Sequence, residues 1–186
     1  MKEDKKTTEQ FFTSKGIDAQ HFPKKSDGKS VDLELYVDDK LWGYCEIKSI
    51  VAYNFIGERS DPTYNKIQNK IHEASKQFIA CNPNHEYPNI LVFINHSERI
   101  GFPDLWLVLT GEYLPPTYHS EPIELRYLKR LDKTDDLSQI DYFVWIDHGA
   151  NKIFYSINSN SSFIEFLKTK ICSKAYENIP NYAFLT

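Results

Sequence analysis

Residues 31–50, VDLELYVDDKLWGYCEIKSI, decide how this chain folds. Val31, Leu33, Leu35 and Val37 alternate with Asp32, Glu34 and Tyr36. After a polar break, Cys45 and Ile47 alternate with Trp42, Tyr44, Glu46 and Lys48. A period of two is the signature of a strand with two unlike faces, and Asp38-Asp39-Lys40 reads as the hairpin turn between two such strands. A three-residue loop over 38–40 pairs Val37 with Leu41. Paired residues in an antiparallel hairpin have numbers of constant sum, so Asp32 then faces Glu46.

Directly opposed residues carry Cβ atoms about 4.5–5.5 Å apart, and like charges so placed repel. Two facing carboxylates therefore call for a compensating charge. A divalent cation supplies one, since Mg²⁺ is held by one or two carboxylates together with water and phosphate oxygens. Lys48, two residues from Glu46, adds a cation on the same face. The competing interpretation is a solvent-facing hairpin laced with salt bridges.

An Asp on one strand and Glu46-Ile47-Lys48 on the next resembles the PD-(D/E)xK, or restriction-endonuclease-like, nuclease superfamily. Val31 stands where the motif's Pro would be. The acidic-x-Lys triplet alone is not selective, because it recurs at Glu3/Lys5, Asp4/Lys6, Asp27/Lys29 and Asp38/Lys40. Placement on a strand opposite Asp32 singles out Glu46/Lys48. The resemblance covers about residues 7–96. It implies an αβββαβ core, with a central mixed sheet flanked by helices, and a metal-dependent phosphodiesterase site. Asp32, Glu46 and the Ile47 carbonyl would hold Mg²⁺ or Mn²⁺, with Glu9 of the first helix as a further ligand, and Lys48 would act on the reacting water or phosphate. Relatives often lend a Lys or Gln from the following helix. Here Lys70 and Gln77, seven residues and two turns apart, are the candidates.

Composition is compatible with this. The chain has 186 residues, 41% of them hydrophobic, enough for one domain with a real core. Cys45, Cys81 and Cys172 form neither a disulfide framework nor a zinc pattern and read as small buried residues. The polar start MKEDKKTTEQ lacks the apolar stretch of a signal peptide, no run approaches the length of a membrane span, and a reducing cytoplasm is the expected setting. Net charge is -4, which argues against a sequence-independent nucleic-acid coat. Residues 1–80 hold 13 basic and 13 acidic side chains, so the excess acid lies in the second half, and a polyanion surface is expected in the first.

Residues 1–6 read as a frayed start. A helix is expected from Thr7 or Thr8 to Lys15, stopped by Gly16. Residues 17–22 read as a connector or short strand, and 23–30 as a lysine-bearing loop. In 49–65, Tyr53, Asn54, Phe55 and Arg59 either cover the core or contact a nucleic-acid strand, and one further strand of the core is expected within 49–56. Asp61-Pro62 opens a helix to about Ala80. Ile67, Ile71, Ala74 and Phe78 form its buried stripe, while Lys66 and Lys76 read as outer charges. NILVFINH (89–96) is apolar enough for the sheet centre. Beyond it, 104–113 and 123–131 read as strands or short helices, 141–157 as a hairpin around 148–151, and 161–172 as an amphipathic helix. These make 97–186 a C-terminal extension of the same sheet. The histidines show no ligand spacing.

The expected activity is Mg²⁺-dependent hydrolysis of nucleic acid, DNA ahead of RNA. Double-strand cleavage would require a homodimer or successive nicking. The alternatives are a domain of the same fold that binds protein or nucleic acid without cutting it, and an unrelated α/β domain.

Overall fold

A computed structural model describes residues 2–23, 30–51, 62–113, 123–124, 135–147 and 152–156. The lysine loop at 24–29, the stretch 52–61, the hairpin tip 148–151 and the helix expected at 161–172 lie outside the described residues. In chain order the elements are α1 (Lys2–Thr13), β1 (Asp18–His21), β2 (Leu33–Val37), β3 (Lys40–Ile50), α2 (Pro62–Cys81), β4 (Asn89–Asn95), α3 (Phe102–Thr110), β5 (Glu112–Tyr113), β6 (Ile123–Glu124), β7 (Tyr142–Asp147) and β8 (Lys152–Ser156). The protein is an α/β structure. Its six-stranded mixed sheet runs β1-β2-β3-β4-β7-β8, and β5 and β6 pair separately.

The 31–50 hairpin forms, but by a different route from a three-residue loop. The turn is only Asp38-Asp39, with φ of 50° and 61°, and Val37 pairs with Lys40 rather than Leu41. Positive φ at both central residues is the mark of the type I′ turn, whose twist suits a two-residue hairpin and which Asp tolerates better than most residues. A bulge between Leu35 and Tyr36 then restores the register, so that Leu35 pairs with Gly43, Glu34 with Tyr44 and Leu33 with Cys45. One residue fewer in the turn and one more in the bulge cancel. The expected numbering sum therefore holds from Leu35 back to Leu33, although both local features differ; the ladder ends at Leu33 and Cys45, one step short of Asp32 and Glu46.

β1 pairs antiparallel with β2, which makes β1-β2-β3 a meander. β1 at 18–21 thus supplies a third antiparallel strand ahead of the hairpin; β3 runs on to Ile50, and most of 49–56, where a further strand is expected, lies outside the described residues. Reading 17–22 as connector or strand was ambiguous because Asp18-Ala19-Gln20-His21 has no apolar face; it is an edge strand. β4 joins β3 in parallel, β7 joins β4 in parallel, and β8 returns antiparallel to β7.

Period-two alternation separates two cores. Tyr44, Ile50, Leu91, Phe93, Phe143 and Trp145 face α2 and α3, where Ile67, Ile71, Ala74, Phe78, Leu105 and Trp106 complete one cluster. Cys45, Ile90, Val92, Ile94, Val144 and Ile146 face the other way, against Phe11 and Phe12 of α1. β4 is buried along its whole length because helices cover both its faces. Each fully buried Leu, Ile or Phe contributes about 1.5–3 kcal/mol, so the four-residue stripe of α2 fixes that helix's rotation firmly. The 104–113 stretch is mostly helical: Gly101 N–H donates to Asp104 at 2.8 Å, Pro103 sits in the first turn, and Gly111 at φ 74° closes α3. No helix among the described residues is long and apolar enough to cross a membrane.

Candidate functional site

Alternation places Glu46 and Lys48 with Tyr44 and Ile50 on the α2 face of β3. Glu46 is 3% exposed, and its Oε1 takes an ion pair from Lys48 Nζ at 3.0 Å. Lys48 Nζ also donates to Gln77 Oε1 at 2.8 Å and lies 3.6 Å from Glu73 of α2. Gln77 in turn donates through Nε2 to the Ser30 carbonyl at 2.8 Å, on the chain entering β2. One α2 side chain thus braces the lysine and the approach to Asp32. Gln77 stands here because it borders the buried stripe, one residue before Phe78.

Asp32 lies at the point where strict alternation fails. Val31 packs in the α2-side cluster, whereas Leu33 packs in the α1-side cluster, so the chain turns over between them. β2 proper begins only at Leu33, and the expectation that Val31 shares a face with Leu33 and Leu35 does not hold. Asp32 Oδ2 accepts the Ile47 N–H at 3.0 Å, taking the place of a strand partner, and Oδ1 is ion-paired with Lys5 of α1. The two carboxylates are therefore held from different layers, Asp32 from the α1 side and Glu46 from the α2 side. They still sense each other. Burial first, and the Asp32 charge second, push the Glu46 carboxyl up to about 7, with Lys48 and Gln77 pulling the other way.

Glu46 Oε2 is buried without a hydrogen-bond partner. An unsatisfied buried oxygen costs about 1–3 kcal/mol, and more when charged. A cation at this oxygen would remove that cost and the repulsion from Asp32. Two carboxylates and a strand carbonyl are also a hard-oxygen set that leaves positions for water and phosphate. The donors thus fit Mg²⁺ or Mn²⁺, although no group of three or more His, Cys, Asp or Glu side chains gathers among the described residues.

Lys70 is half-buried on α2; burial and the neighbouring Lys48 charge depress its pKa, and Glu73 opposes them. It therefore lies within electrostatic reach of Lys48. Lys66, expected as an outer charge, donates to the Val51 carbonyl at 2.9 Å in an exposed hydrogen bond. Ile47 turns its side chain to the α1-side cluster.

Glu9 does not join this group. It pairs with His21 of β1 at 3.2 Å; α1 starts at Lys2, not at Thr7 or Thr8, and it is Lys5, about one turn before Glu9, that reaches Asp32. The acidic residue that α1 brings closest to β3 along its length is Asp4. Its Oδ2 accepts from Ser49 Oγ at 2.6 Å and its Oδ1 from His96 Nε2 at 2.8 Å. Burial would raise the Asp4 carboxyl, but these two hydrogen bonds outweigh it and hold the group below the usual range. Asp4, Lys5, Ser49 and His96 were all missed in the sequence. A signal existed: Asp4, Thr8, Phe11 and Phe12 have helical spacing, and all four are buried. The pattern was hard to see because its first two members are polar.

No protein-family model, curated protein or solved structure matches this chain.

Proposed function

We propose that the chain is a divalent-metal-dependent nuclease of the PD-(D/E)xK, restriction-endonuclease-like kind, hydrolysing phosphodiester bonds of nucleic acid. The observation that carries this reading is the buried Glu46 carboxylate, with Oε1 on Lys48, Oε2 without a partner, and Asp32 close enough to perturb it. The order α1-β1-β2-β3-α2-β4, with β3 and β4 parallel, agrees with an αβββαβ core.

Asp32 Oδ2, Glu46 Oε2 and the Ile47 carbonyl are the groups that would hold Mg²⁺ or Mn²⁺. Such an ion polarises a phosphate oxygen and lowers the pKa of bound water. Lys48 presents its ammonium beside Glu46, where it stabilises charge developing on the phosphate or orients the attacking water. Gln77 keeps Lys48 in place through its link to Ser30. Lys70, sharing α2 with Gln77, adds positive potential for the polyanion. A single such centre cuts one strand, so double-strand cleavage requires a homodimer or two successive nicks.

The test is incubation of the purified chain with labelled single- and double-stranded DNA and RNA, with Mn²⁺ or with EDTA. Cleavage of at least one substrate, DNA first, is expected with Mn²⁺ and none with EDTA. Absence of cleavage together with absence of divalent-ion binding would favour a non-catalytic binding domain.

A further inference from the structure

By sequence alone, Glu3-x-Lys5 is one of the acidic-x-Lys triplets that lie outside the Glu46/Lys48 strand. The fold brings Lys5 onto Asp32 instead. We infer that Lys5 is a resident counter-ion that competes with the divalent cation for Asp32 and so sets the ion's affinity; this rests on the metal-dependent reading above.

The two carboxylates are prepared unequally. Glu46 keeps one oxygen without a partner, whereas both Asp32 oxygens are engaged, Oδ2 by the Ile47 N–H and Oδ1 by the Lys5 ammonium. Lys5 is held within reach by a well-anchored element. One residue before it, Asp4 is buried and tied to Ser49 and His96, Thr8 Oγ1 donates to the Asp4 carbonyl at 2.9 Å, and Phe11 and Phe12 dock the helix on the sheet. The helix therefore cannot carry the ammonium far away. The lysine side chain, 24% exposed against 20% for Asp32, can still swing toward solvent. An ion entering between Asp32 and Glu46 must share Asp32 with that ammonium or displace it, and two cations on one carboxylate repel. An adjacent opposite charge changes a carboxylate's proton affinity by about ten- to a thousandfold. A divalent ion on Oδ2 shares the carboxylate whose Oδ1 carries that ammonium, and meets an effect of the same order.

Calorimetric titration of Mn²⁺ into the full chain tests this. Lys5→Met is expected to tighten Mn²⁺ binding about tenfold or more, while Lys5→Arg, which keeps the charge, stays near wild type. Melting curves in the absence of Mn²⁺ establish that each variant is folded, and Lys5→Gln replaces Lys5→Met should the latter not be. Affinities of wild type and the neutral variant agreeing within about twofold would overturn the role of Lys5 and leave the metal-dependent reading standing. No Mn²⁺ binding by any of these proteins would overturn both.

Discussion

Glu46→Gln is expected to lower Mg²⁺- or Mn²⁺-dependent cleavage by about a thousandfold or more, because it removes the charge at Oε2, a buried site oxygen without a hydrogen-bond partner. The substitution is nearly isosteric. Its carbonyl oxygen can still face Lys48, so the brace from Gln77 to Ser30 should persist. The loss cannot be attributed to unfolding, because the same change is expected to stabilise the protein at neutral pH and above. Single-turnover cleavage rates measured beside thermal melts of the same preparations check both halves. Activity within a few-fold of wild type would place any cleavage at another site.

The stabilising half has a definite pH dependence. Glu46 titrates near 4.5 when the chain is unfolded and near 7 when folded. Below pH 4.5 the group is protonated in both states and costs nothing. Between 4.5 and 7 the unfolded chain releases the proton while the folded chain keeps it, so stability falls. Above 7 the loss is complete, at about 3 kcal/mol for this gap. Urea unfolding of wild type and Glu46→Gln should therefore show a difference that grows by about 3 kcal/mol in the variant's favour from pH 4.5 to 8. Comparing the two proteins cancels Asp4, whose lowered pKa acts in the opposite sense and only at acid pH. A pH-independent difference would contradict a buried, ionisation-penalised Glu46. Mn²⁺ at pH 8 should raise the melting temperature of wild type but not of the variant, as ligand binding to the native state requires.

How much of this was legible depends on which force fixes each feature. The hairpin, the α2 stripe and the central β4 are set by apolar periodicity, which a sequence displays directly, and they lie where expected. Gln77 followed from the same stripe, because four buried residues leave one azimuth for its neighbour. The turn and bulge were not legible. Whether a hairpin closes in two residues or three depends on Asp38 and Asp39 accepting positive φ, a small local preference, and on a bulge that no residue type announces. Asp32's orientation was hidden for a related reason: alternation assumes a regular strand, and the chain turns over between Val31 and Leu33. Glu9 turns to His21 of β1 instead, while the earlier start of α1 brings Asp4 and Lys5 into the helix. Asp4 and Lys5 are recruited by tertiary contacts with β3, Asp32 and His96, residues as far as 92 positions away.

The most direct test of the proposed chemistry is Lys48→Ala, assayed for Mn²⁺ binding by calorimetry and for cleavage in the same preparation. Lys48 supplies a cation and no ligand, so Mn²⁺ binding should persist while cleavage falls by about a hundred- to a thousandfold. Cleavage at the wild-type rate, with Mn²⁺ binding equally intact, would contradict a site built on Asp32, Glu46 and Lys48.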